Sequence, residues 1–292
     1  MTNTPTDKAS NQISYRQLIN QATEILYQSS DSPRIDAEVL MQHATQNSMA
    51  WLIAYGDTLA NASHIEAFFD LIEQRRHGRP IAYIVGYKEF WSLRLFVDES
   101  VLIPRGDTET LVEQCLARLA NNKTHHVLDL GTGSGAIALA IAKERPESKV
   151  DAVDSSSAAL LLAERNASAN ELHNLRFMLS SWYDDLAPFK YDLIASNPPY
   201  VAQNDAHLDQ GDLRFEPSGA LIADADGIGD ILHIISKAPS YLKNNGWLLI
   251  EHGYEQQHQV AEIFSHYGFS NIELFKDLNQ LPRCTAAQLS RN

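Results

Sequence analysis

The 292 residues carry 23 Lys and Arg against 37 Asp and Glu, a formal net charge of −14, with 44% hydrophobic and 21% charged residues. Such a balance belongs to a globular chain long enough for two modest domains, and its acidity argues against affinity gained chiefly by neutralising phosphates. No apolar run approaches membrane-span length. Met1 to Ser10 lacks the cationic and apolar segments of a secretory signal, and Cys115 and Cys284 lack zinc-site or disulfide spacing, so no metal and a reducing cytoplasm are expected.

The first third reads as helices. Ile13 to Tyr27 has helical apolar spacing. A second helix starts with Ser32 as cap and Pro33 at its first position and carries Ile35, Val39 and Leu40; a third opens with a Ser63–Glu66 capping box, buries Ile65, Phe68, Phe69 and Ile72, and stops at Gly78. These predict a small helical bundle over residues 1–78. Ile81 to Val85 and Trp91 to Val97 are rich in β-branched and aromatic residues around Gly86, which predicts a β-hairpin linker over 79–106.

From Asp107 to the end, helical and strand-like segments alternate. Helices are expected over Asp107 to Leu119, Ala136 to Glu144, Ala158 to Asn170, Gly229 to Leu242 and Gln256 to Tyr267. Strands are expected over His126 to Leu130, Val150 to Val153, Leu175 to Leu179, Tyr191 to Ala195 and Trp247 to Glu251, with an edge pair at Ile272 to Phe275 and Arg283 to Leu289. The alternation predicts an α/β domain over 107–292, a mostly parallel sheet with helices on both faces.

Two segments carry chemistry. Val127-Leu-Asp-Leu-Gly-Thr-Gly-Ser-Gly135 runs from a strand through alternate glycines into a helix, so that bare backbone lets a ligand approach the helix N-terminus. With Ala136 it also satisfies G-x-G-x-x-A, which leaves a dinucleotide site open. Asp154, ending the next strand, has the placement of a carboxylate that accepts ribose hydroxyls, although an Asp there also caps loops and helices. Trp182, after the third strand, is a candidate platform for an adenine ring, in competition with a core role. The second segment is Asn197-Pro198-Pro199-Tyr200 at a strand's carboxyl end. Paired prolines stiffen the chain and aim carbonyls outward. The Asn197 side-chain oxygen and the Pro198 carbonyl suffice to hold both hydrogens of an NH2 group and turn its lone pair toward an incoming methyl, while Tyr200 packs flat on the planar group.

These residues resemble those of the peptide chain release factor N5-glutamine methyltransferases (PrmC/HemK), within the seven-stranded Rossmann-like, class I methyltransferases that depend on S-adenosylmethionine. The resemblance also rests on Ile35-Asp-Ala-Glu-Val-Leu40, Gly78 to Gly86, Val101-Leu-Ile-Pro-Arg105, Asp107-Thr-Glu109, Arg214-Phe-Glu-Pro217, Ala220-Leu221, Asp226-Gly227 and Glu251-His-Gly253. It implies that Gly131, Thr132, Gly133, Ser134 and Gly135 hold the methionine part of S-adenosylmethionine, Asp154 its ribose and Trp182 its adenine region, with Asn197 also touching it. Asn197, Pro198, Pro199 and Tyr200 would then hold the substrate amide, Asn197 and Pro198 being catalytic. The implied substrate is the glutamine of Gly-Gly-Gln in class 1 release factors; the helical domain is expected to grip the body of the factor, because a three-residue motif buries too little surface for specificity. Gly106 stands where the family usually has a second proline, Ser181 where an acid is common, and Asn279 to Cys284 keeps Arg283 without the usual glycine turn. The histidines, His252 included, read as structural.

Asn-Pro-Pro-Tyr also serves enzymes that methylate the exocyclic amino group of adenine, but such an enzyme should carry a basic nucleic-acid-binding region, and this chain is acidic. A nicotinamide oxidoreductase would leave the tetrapeptide unused. A non-catalytic binding module would have no need of Asn197.

Overall fold

The computed structural model describes residues 13–205 and 211–290, so the expectation for Met1 to Ser10 lies outside the described residues. The chain divides into two compact units, Met1–Val85 and Gly86–Asn292.

In the first unit the helices are α1 (Tyr15–Leu26), α2 (Pro33–Thr45), α3 (Met49–Tyr55), α4 (Ala62–Arg76) and α5 (Ile81–Val85). A capping box opens α1: the Gln17 amide donates to Ser14 Oγ at 3.3 Å and the Ser14 amide to Gln17 Oε1 at 2.9 Å. Pro33 does begin α2, but the Ser32 hydroxyl donates to Asp36 Oδ1 instead of capping the helix. The box expected at Ser63 and Glu66 does not form, because α4 starts two residues earlier, with Asn61 as its cap residue. Leu18, Ala22 and Leu26 meet Leu40, Met41, Phe68 and Ile72 in one buried cluster, full burial of each side chain larger than alanine being worth roughly 1.5–3 kcal/mol. Asp36 and Arg75 pair across it at 2.7 Å, both side chains almost wholly buried.

The strand expected at Ile81 to Val85 is instead α5, a correction with a packing cause. Pro80 supplies the carbonyl that accepts from Ile84 N, Ile81, Ile84 and Val85 lie against the helical cluster, and Gly86 at φ 80° ends the turn. Tertiary contacts override β-branched propensity here. The hairpin is displaced to β1 (Tyr87–Phe90) and β2 (Leu93–Phe96), with Trp91 and Ser92 both left-handed in a two-residue turn.

The second unit continues with a 3-10 turn at Gly106–Thr108, α6 (Glu109–Arg118), β3 (His126–Leu130), α7 (Ala136–Glu144), β4 (Lys149–Asp154), α8 (Ser157–Ala169), β5 (Leu175–Leu179), β6 (Tyr191–Ser196) and β7 (Val201–Ala202). Then come β8 (Ile222–Ala223), α9 (Asp224–Gly227), α10 (Gly229–Lys237), β9 (Leu242–Glu251), α11 (Gln257–His266), β10 (Phe269–Lys276) and β11 (Pro282–Leu289). The helix expected to reach Leu242 stops at Lys237, just before Pro239. Seven strands form one sheet in the order β10-β11-β9-β6-β3-β4-β5. Strands β9, β6, β3, β4 and β5 run parallel, and β11 and β10 close the sheet antiparallel.

Successive strand side chains point to opposite faces of a sheet that is covered on both. Val127, Val150 and Ala152 join Val112, Ile137 and Ile141 in one core; Leu128, Leu130 and Val153 join Ile231, Ile235, Val260 and Phe264 in the other. Since β4 and β6 flank β3 on opposite sides, the chain reverses its strand order there, and the carboxyl ends of these strands open a crevice. No helix of the described residues is long and apolar enough to cross a membrane.

Candidate active site

A cavity of about 390 Å³ occupies that crevice, within the range of small-molecule sites. The loops following β3, β4, β5 and β6 build most of it, together with residues of the 100–108 segment and of the 217–220 stretch.

After β3, Gly131, Gly133 and Gly135 take φ of 70°, 54° and 86°, conformations in which L side chains are strained. The Thr132 amide donates to the Val153 carbonyl at 2.9 Å, tying the turn to β4. Beneath it, Asp129 is wholly buried and accepts from Thr132 Oγ1 at 2.6 Å and from the Ala138 amide at 3.2 Å, while its Oδ1 finds no partner. Burial pushes its pKa up to about 7 against the pull of those two hydrogen bonds. Gly131, Thr132, Gly133 and Ser134 line the cavity. Gly135 sits below it, where a Cβ would fall 2.5 Å from Leu139 Cδ1 and 3.2 Å from Ala163 Cβ, so its smallness serves the packing of α7 on α8.

Asp154 ends β4 at the cavity wall. Its Oδ2 accepts from the Gly133 amide at 2.8 Å and its Oδ1 from the Ser156 amide at 2.9 Å. With about four lone-pair sites, a carboxylate that closes the loop by holding two backbone amides retains acceptor capacity at the cavity wall. Trp182, at φ 50°, places its ring against Gly131, where a Cβ would meet Cζ3 at 3.2 Å. Its indole N–H donates to Asp230 Oδ1 at 3.2 Å, so the ring is pinned as a wall. Burial raises the Asp230 pKa against that hydrogen bond.

After β6, Ser196 Oγ donates to the Leu130 carbonyl at 2.8 Å and locks the two strand ends together. Asn197 Nδ2 donates to Thr108 Oγ1 at 3.2 Å; its Oδ1 makes no hydrogen bond with a described residue. Asn197 and Pro199 line the cavity; Pro198 between them and Tyr200 after them are not among the lining residues. Tyr200, expected to pack on a substrate group, is anchored on its inner side. Its hydroxyl donates inward to Glu251 Oε1 at 3.3 Å, its backbone carbonyl accepts from Gln256 Nε2 at 3.1 Å, and its ring packs on the apolar core under the loop.

Several residues of the site carry no spacing signal. Arg105 lines the cavity and pairs at 2.7 Å with Glu216, whose side chain is fully buried and whose pKa burial lifts to about 7 against the guanidinium. The pair fastens the wall near Pro217, Gly219 and Ala220. Thr108, Asp230 and Glu251 were equally silent, although Arg105, Thr108, Glu216 and Glu251 lie inside the segments that carry the family resemblance. His252 is buried between Thr285 Oγ1 at 2.8 Å and the Gly253 carbonyl at 2.9 Å, a structural role, and burial lowers its pKa. Among the described residues no cluster of three or more His, Cys, Asp or Glu could hold a metal ion.

Two family patterns match the chain: the PrmC N-terminal domain over residues 17–86 and the methyltransferase small domain over 107–221. The chain is 46% identical over 261 residues to the release factor glutamine methyltransferase of Salmonella typhimurium, covering 89% of this chain and 94% of the relative. It is 47% identical over 255 residues to that of Xylella fastidiosa, covering 87% and 93%. A methyltransferase from Pyrococcus furiosus shares the fold, with a TM-score of 0.53 at 16% identity over 68% of this chain and 90% of that one.

Proposed function

The chain belongs to the release factor glutamine methyltransferase family, and from that premise we propose that it methylates the side-chain nitrogen N5 of the glutamine in the Gly-Gly-Gln motif of class 1 release factors, in the cytoplasm. The methyl donor is S-adenosylmethionine, which when bound supplies a methyl group on a cationic sulfur. The residues present fit such a group. Bare backbone at Gly131 faces the Trp182 ring, Asp154 has acceptor capacity at the wall, and the carboxyls of Asp154 and Asp230 suit a cationic ligand.

The observation that carries the reading is the orientation of Asn197. Because Thr108 takes a hydrogen from its Nδ2, the amide presents Oδ1 as its free acceptor at the cavity wall. A primary amide nitrogen is a poor nucleophile, since its lone pair is delocalised into the carbonyl. Asn197 Oδ1 and the Pro198 carbonyl would hold its two hydrogens and turn the lone pair out of that conjugation, a contribution of positioning. Asn197 to Tyr200 contains no His, Lys or carboxylate, so the proton is lost after transfer and not before. The first unit would grip the body of the release factor, because three residues bury too little surface for specificity.

The test is labelled-methyl transfer to a release factor carrying Gly-Gly-Gln and to one carrying Gly-Gly-Ala. Transfer to the first alone is expected; equal transfer to both would refute glutamine as the acceptor.

A further inference from the structure

Glu251 lies behind the active-site loop and touches no part of the cavity. It ends β9, is 1% exposed, and meets Tyr200 through Oε1, while Oε2 has no hydrogen-bond partner within 3.5 Å. Thr108, 4% exposed, accepts at Oγ1 from Asn197 Nδ2, so its own proton must point elsewhere, and its hydroxyl lies close enough to the Glu251 carboxyl to pull that group's pKa down. A buried carboxylate with an open oxygen beside a buried hydroxyl in need of an acceptor is a strong pairing.

Resting on the glutamine-methylation reading, we propose that Glu251 is a positioning residue that sets the hydrogen-bond polarity of the active site through Thr108 and Tyr200, and so keeps Asn197 turned with Oδ1 toward the substrate amide. As a carboxylate Glu251 only accepts. It draws the Thr108 proton inward, which leaves Thr108 Oγ1 as an acceptor, and an acceptor there fixes Nδ2 as the inward end of the Asn197 amide. Reversing one link reverses the chain. A donor at Glu251 would turn the Thr108 proton outward onto Asn197 and flip the amide, setting its NH2 against the NH2 of the substrate.

The polarity depends on ionisation. Burial raises the Glu251 pKa to about 7, with Thr108, Arg283 and Tyr200 pulling it down and Asp107 pushing it up. These groups, with Cys284 opposite it on β11, are the titratable and hydrogen-bonding side chains that face it. Arg283 is itself shared with Asp107 and Asp277 at 3.3 Å each. The positioning carboxylate is therefore present above about pH 7 and is lost as the pH falls through that value.

Glu251→Gln tests this, since it keeps the shape and converts one oxygen to a donor. In single-turnover transfer to a Gly-Gly-Gln release factor at saturating cofactor, it should lower the rate by about tenfold or more while S-adenosylmethionine binding by calorimetry is unchanged. Wild type should lose rate as the pH falls through about 7, and the variant should be slow and flat. Glu251→Gln combined with Thr108→Val should be no slower than the slower single variant, as two links of one chain require. A rate within twofold of wild type, a retained pH step or additive losses would overturn the relay. If Glu251→Gln fails to fold, the infrared carboxyl band of Glu251 decides without substrate: Thr108→Val should move its titration upward, and an unmoved band refutes the contact. Wild type that ignores the release factor refutes the substrate reading and leaves that infrared test of the relay standing.

Discussion

Replacing Gly131 by alanine separates two demands that the glycine turn makes on its residues. At φ 70° any side chain meets the left-handed penalty, about 1–2 kcal/mol. The new Cβ also falls 3.2 Å from Trp182 Cζ3 and 3.5 Å from Cη2, so the ring must yield by a few tenths of an ångström. That ring cannot slide freely, because its indole N–H is held by Asp230 at 3.2 Å and its backbone is itself left-handed. Gly133→Ala is the control: φ is 54° and nothing lies within 4 Å of its Cβ, so only the backbone penalty applies. Thermal unfolding should show both variants less stable, Gly131→Ala the more so. Calorimetric titration with S-adenosylmethionine should show Gly131→Ala weaker than Gly133→Ala by on the order of tenfold, about 1.4 kcal/mol, as the displaced ring loses part of its contact with a bound adenine. Equal affinities would mean that Trp182 does not form the binding wall.

Asn197→Ala should lower single-turnover methyl transfer by about 10²-fold with a smaller change in cofactor affinity, and Asn197→Asp, which keeps an acceptor oxygen, should retain more activity than alanine. Asp36→Ala leaves the Arg75 guanidinium buried without its carboxylate, and denaturant unfolding of the first unit should show a loss of about 3–5 kcal/mol. Asp129, Glu216 and Glu251 have folded pKa values raised to about 7 from ordinary carboxylate values, so the native state holds their protons longer than the unfolded one; their contribution to stability is full below the unfolded values and declines as pH rises toward 7. Melting temperatures of wild type and Asp129→Asn, measured from about pH 5 to 8, should diverge in that window, the variant falling less with rising pH.

The second unit was legible because its signals are periodic and local. The buried strands β3 and β6 read as apolar runs, since strand burial on both faces leaves little else for such runs to do, and β3, α7 and β5 fall where their apolar spacing placed them. The stretch at Ile81 to Val85 misled because β-branched residues report a half-buried surface and not a backbone state; the helical cluster supplied that surface. Among the residues lining the cavity, Gly131, Gly133, Asp154, Trp182 and Asn197 could be singled out because each lies at or shortly after the end of a readable strand. Tyr200 could not be placed, because the direction of a side chain after two prolines is settled by what lies behind it, here Glu251, 51 residues later. The Arg105–Glu216 pair spans 111 positions and the Asn197–Thr108 bond 89. A single chain offers no local pattern for such partnerships, since each residue by itself is an ordinary loop or strand-end side chain. What the tetrapeptide can say is which atoms reach an amide; which way Asn197 faces is decided by a hydroxyl and a carboxyl brought to it only by folding, and that orientation separates an acceptor for an NH2 group from a competing donor.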